Sequence, residues 1–96
     1  MSTLFISEFT ANSQRDFGRA KMPSNVDQTV TIGATSAQSS AFQASTNLIR
    51  VVADATCAIA IGANPTATAT NLFLPANVVE YFEVQPGNKI AVITAT

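Results

Sequence analysis

At 96 residues the chain has room for one domain, and a domain of this size hides only about 60–65% of the surface its unfolded form exposes. Hydrophobic residues make up 47% and charged residues 11%, against a usual charged share of ~25%, with Ala, Thr, Ser, Asn and Gln filling the deficit. The formal net charge is −1, so little repulsion keeps copies apart, and the apolar share excludes a disordered tail.

The missing residue types exclude most chemistry. There is no His, hence no imidazole base, no His-assisted nucleophile and no His-ligated metal. The single cysteine, Cys57, allows neither an internal disulfide nor a cysteine metal cluster. Five basic residues against six acidic ones offer no basic patch for nucleic acid. No apolar run approaches the roughly 18 residues a membrane helix needs, and Met1–Phe9 lacks the basic and apolar regions of a signal peptide. The expectation is a non-enzymatic protein with no metal or organic cofactor, no nucleic-acid partner and no membrane span.

The elements, taken in chain order, read as strands. Leu4 and Ile6 share one face of a first short strand. Asn12–Asn25 is polar and aperiodic, punctuated by Gly18 and Pro23, and reads as a long loop or arm. Alternation resumes with Val30 and Ile32 facing one way and Thr29 and Thr31 the other, up to Gly33. Ala34–Thr46 is weakly patterned; a modest strand is expected near Ala41–Ala44, with Phe42 as its anchor. Leu48–Ala53 is an apolar run broken by Arg50, with a turn at Asp54–Thr56. Cys57, Ile59 and Ile61 alternate with Ala58 and Ala60 up to Gly62. Ala63–Asn71 reads as a loop, Leu72–Leu74 as a short strand stopped by Pro75, and Val78–Val84 as a strand stopped by the Pro86-Gly87 turn. Lys89–Ala95 is the last strand.

Seven or eight short strands at such intervals predict an all-β chain: an antiparallel β-sandwich, jelly-roll-like or Ig-like, forming a single domain over 1–96 with the arm at 12–25. The predicted core is Val30, Ile32, Ile49, Val51, Ile59, Ile61, Phe82, Val84, Ile90 and Val92.

Few residues offer a site. Glu80 and Glu83 are the close carboxylates, but odd spacing in a strand sends them to opposite faces, against paired acid–base work. Cys57, in register with Ile59 and Ile61, is expected in the core as a small hydrophobe. Arg50 either pairs locally, with Asp54 as the nearest acid, or reaches a partner protein through its planar fork. In the arm, Arg15, Arg19 and Lys21 surround Phe17. Two readings of it stand: a solvated mobile loop, or a grip in which Phe17 anchors in a partner while the cations meet acidic groups at the rim. Asn64–Thr70 reads as a loop held by its own side-chain-to-backbone bonds.

The second half carries a resemblance of texture and strand–turn order. Leu48-Ile49-Arg50-Val51-Val52, Cys57-Ala58-Ile59-Ala60-Ile61-Gly62, Asn64-Pro65-Thr66-Ala67, Leu72-Phe73-Leu74-Pro75, Glu80-Tyr81-Phe82-Glu83-Val84 and Pro86-Gly87-Asn88-Lys89-Ile90-Ala91-Val92-Ile93 follow in order. Over residues 48–94 this resembles the small all-β virion proteins of tailed bacteriophages, particularly those that decorate or cement the head. The resemblance implies a capsid decoration protein, made in the host cytoplasm and carried on the capsid surface. It would bind the major capsid protein or other virion proteins and form a homo-oligomer. A head–tail joining or tail component shares the same composition, and a small carbohydrate-binding module is a third reading. No functional residue carries over.

Overall fold

A computed structural model describes residues 2–10 and 26–95. Eight strands run in this part of the chain: β1 (Ser2–Phe9), β2 (Val26–Ile32), β3 (Ala37–Gln38), β4 (Leu48–Ala53), β5 (Cys57–Gly62), β6 (Leu72–Leu74), β7 (Glu80–Glu83) and β8 (Lys89–Thr94). They form two four-stranded sheets, ordered β2-β1-β4-β7 and β3-β8-β5-β6, with every pairing antiparallel. No helix occurs among the described residues.

The strand order follows a nested plan. β5 pairs with β6, β4 with β7 and β3 with β8, as in one long antiparallel ribbon folded at the β5–β6 end. The next pair outward is β2 with β1, so the amino-terminal strand closes the roll where a ninth strand would otherwise run. Rolling the ribbon creates the remaining seams, β1–β4 and β5–β8. The four-plus-four arrangement is jelly-roll-like rather than the four-plus-three of an Ig constant domain.

Period-2 alternation decides which side chains enter the space between the sheets. Leu4 and Ile6 of β1 face it, with Val30 and Ile32 of β2 and Ile49, Val51 and Ala53 of β4. Cys57 and Ile59 of β5, Leu74 of β6, and Ile90 and Val92 of β8 close it from the second sheet. Ile61, Phe82 and Val84 pack against this cluster while partly buried. Every residue of the predicted core thus contributes to it.

Two boundaries differ from the sequence expectation. The short strand expected near Ala41–Ala44 forms instead at Ala37–Gln38. The amides of Phe42 and Gln43 are engaged outside any sheet ladder, by Asn88 O at 2.7 Å and Glu8 Oε1 at 2.9 Å, while the Phe42 ring enters the core. The strand expected from Val78 begins at Glu80, after a turn in which Asn77 takes a φ of 63° and its amide bonds Ala53 O at 2.7 Å. The Pro86-Gly87 turn forms as read: Gly87 has a φ of 85°, and Asn88 N closes onto Gln85 O at 3.2 Å. Glycine is the residue that takes such a φ without a steric penalty.

Candidate functional site

The outer faces of the two sheets are built differently. On the second sheet the outward positions of β5 and β8 are Ala58, Ala60, Ala91 and Ile93. Ala58 and Ala91 are completely buried although they face away from the core. The connection between β5 and β6 accounts for it. Gln38, on the far edge of this sheet, donates its Nε2 to Asn64 Oδ1 at 3.0 Å and to Pro65 O at 2.6 Å. Ala67 N donates to Ser36 Oγ at 2.9 Å, and both Pro65 and Ala67 are buried. Residues 63–71 therefore cross the sheet as a strap, and alanines leave the room beneath it. The same connection holds itself with Thr68 N on Asn71 Oδ1 at 2.6 Å, in line with the loop reading.

The first sheet has Arg50 on its outer face. In register, Arg50 stands beside Ser7 of β1 and Tyr81 of β7, while Asp27 lies beyond Ser7 on β2. The adjacent row is Thr29, Phe5 and Val52. Phe5, Ser7, Asp27, Thr29, Arg50 and Val52 line a shallow depression of about 420 Å³. Arg50 is half-buried there and does not pair with Asp54. That carboxylate instead accepts Thr3 N at 2.7 Å, while Asp54 N bonds Thr3 O at 3.1 Å, which ties down the start of β1.

The remaining candidates separate. Glu80 pairs with Val51 and Glu83 with Leu48, so the two exposed carboxylates point to opposite faces of β7. Cys57 is fully buried, and burial pushes its thiol up from an ordinary 9.0 to about 11, which leaves no thiolate for nucleophilic work near neutrality. Arg15, Phe17, Arg19 and Lys21, with the rest of 12–25, lie outside the described residues. Among the described residues no group of three or more acids, cysteines or histidines is placed to hold a metal.

Two features stand out that the sequence reading did not single out. The first is Glu8, completely buried, whose Oε1 accepts Thr46 Oγ1 at 2.7 Å and Gln43 N at 2.9 Å. Its Oε2 accepts Gln28 Nε2 at 2.6 Å, and Gln28 Oε1 accepts Ser40 N at 2.9 Å. Three hydrogen bonds to a carboxylate compensate its burial and fasten residues 40–46 to β1 and β2. The signal was parity, since Glu8 is in phase with Leu4 and Ile6.

The second is an apolar rim. Leu72 and Phe73 of β6 are 53% and 57% exposed, and Val78 and Val79 of the connection to β7 are 40% exposed each. β6 and β7 are the edge strands on the side away from β2 and β3, so these four residues belong to a strand and a connection at one flank of the sandwich.

Fold and surface together define a small jelly-roll-like β-sandwich with one strapped face and one apolar flank. Comparison with protein-family models, with characterised proteins and with solved structures gives no match.

Proposed function

We propose that the chain is a non-catalytic structural subunit of a tailed-bacteriophage virion, a decoration or cement protein that docks on the major capsid protein lattice and stabilises the head. The observation that carries this reading is the apolar flank of Leu72, Phe73, Val78 and Val79, because exposed apolar patches on a small domain mark protein interaction sites. The resemblance over residues 48–94 supports the virion setting, and that stretch supplies β4 to β8. A domain with so few charges gains stability by docking, since any partner that binds only the folded form shifts the folding equilibrium. In this reading Phe17, with Arg15, Arg19 and Lys21, supplies an anchor and cations for acidic groups at the rim of the contact, and Arg50 adds a planar donor from the first sheet.

Quantitative mass spectrometry of purified particles tests it. Hundreds of copies per particle are expected for head decoration. A dozen or fewer places the chain at the neck or tail, and none overturns the virion reading.

A further inference from the structure

The two sheets present four edge strands, and three are protected against pairing with another chain. β2 carries the exposed charge of Asp27, and β7 carries Glu80 and Glu83. β3 is only two residues long and its Gln38 is held by the strap. Charged edge residues and very short strands are the usual protections of a sheet edge. β6, itself three residues long, has no charge and, among the described residues, no segment held across it: it is Leu72-Phe73-Leu74, with Leu72 and Phe73 exposed, and no charged residue occurs from Ala55 to Val79.

From this asymmetry we infer that β6 is a self-association edge, and that its occupant is β6 of a second copy in antiparallel register about a two-fold axis at Phe73. The strand is its own complement. With Phe73 on the axis, Leu72 of each copy faces Leu74 of the other, and the two Phe73 rings meet. Leu72, opposite Ile59 on the core-facing side, would extend the inter-sheet core across the junction, while Phe73, opposite Ala58, would lie on the outer side. The second sheets of two copies then join into one eight-stranded sheet, a self-complementary interface of the kind two-fold dimers use. The neutral stretch brings no like charges together at the axis. Pairing of three-residue strands is small against the ~800 Å² per partner of a standard interface, so the association belongs to the weak class.

Sedimentation velocity of the full chain over a concentration series tests the assignment, and it does not depend on the virion reading. A monomer–dimer equilibrium in the micromolar range is expected. Phe73→Lys and Phe73→Glu should each weaken it by about tenfold or more. Because Phe73 meets its own copy, an equimolar mixture of the two variants should regain association that neither shows alone. Thermal melting checks that each variant folds; Leu72→Lys with Leu72→Glu is not a substitute, because Leu72 does not meet itself, so Leu72→Lys serves only as a second disrupting variant. A wild-type chain that stays monomeric at high micromolar concentration overturns the inference. So does a dimer that survives Phe73→Lys, or a mixture of folded charge variants that remains monomeric.

Discussion

The Thr46 hydroxyl donates to Glu8 Oε1 at 2.7 Å, and both residues are completely excluded from solvent. The bond joins the end of the Phe42 loop to β1, an inner strand of the first sheet. Replacing Thr46 with Val keeps the shape and removes a donor to a charged acceptor, so a loss of about 1.5–3 kcal/mol is expected. Glu8→Ala should cost more, because Gln43 N, Thr46 Oγ1 and Gln28 Nε2 lose their acceptor together. Glu8→Gln should not rescue it fully: its amide NH₂ would meet Gln28 Nε2, and turning Gln28 round would give up the bond from Ser40 N. Urea unfolding of the three variants checks the order; a Glu8→Ala variant as stable as wild type would show that the cluster holds nothing.

How much of this could be read beforehand differs by element. β4, β5 and β8 were legible because Ile and Val recur at every second position, and alternation with Ile59 and Ile61 placed Cys57 inward; the outward place of Arg50, between Ser7 and Tyr81, follows from the strand register. Residues 34–46 were not legible. Their Ala, Ser and Gln carry no period, and their positions depend on partners as distant as Glu8 and Asn88. The strap was hidden for a similar reason, although Ala58 and Ala60 hold a trace of it: an outer strand face of alanine, where polar residues are usual, implies a cover. The β6 edge was readable as a strand, but its being an uncovered edge follows only from the sheet order.

Cys57 makes stability depend on alkaline pH. Its thiol ordinarily titrates near 9.0 and is raised to about 11 by burial. Below the ordinary value both folded and unfolded thiols hold their proton, and the group contributes no pH dependence. Between the two values the unfolded chain releases a proton that the folded chain keeps, so stability falls as pH rises, by about 2–3 kcal/mol over the full interval. Denaturant titrations at neutral pH and across this window should show the loss in wild type and a shallower slope in Cys57→Ala. Equal slopes in both would remove Cys57 as the cause. The native thiol should also resist alkylation at neutral pH.

The strap predicts an unusual sensitivity on an outward face. Ala58→Leu or Ala91→Leu adds volume where Pro65 and Ala67 are buried above the sheet, so about 1–3 kcal/mol of overpacking cost is expected. Thr31→Leu, on the exposed outward face of β2, should change stability by less than about 0.5 kcal/mol. Ser36→Ala, which removes the acceptor of Ala67 N, should loosen the strap and speed amide exchange at Ala67. A tolerant Ala91 would mean that the connection does not press on the sheet.

The place of β1 in the roll gives the last prediction. Ser2 stands opposite Ile32, and Thr94 N bonds the next carbonyl, Gly33 O, at 2.9 Å. The start of β1 and the end of β8 therefore flank the same two residues from opposite sheets, and sheets pack ~10 Å apart. A linker of about five residues spans that gap, at ~3.3 Å per residue. Joining Thr94 to Ser2 through such a linker and opening the chain within 11–25 would give the order β2 to β8 followed by β1. Every strand pair would then nest along one ribbon, with β1 now last. The permuted chain should fold to the same two sheets, because each hydrogen-bonded neighbour is kept and only the covalent route between β1 and β2 changes. Circular dichroism and amide exchange should match the parent, with β1 amides protected as before. If the permuted chain fails to fold, pairing of β1 with β2 requires the direct connection, and the strand does not simply stand in for a ninth one.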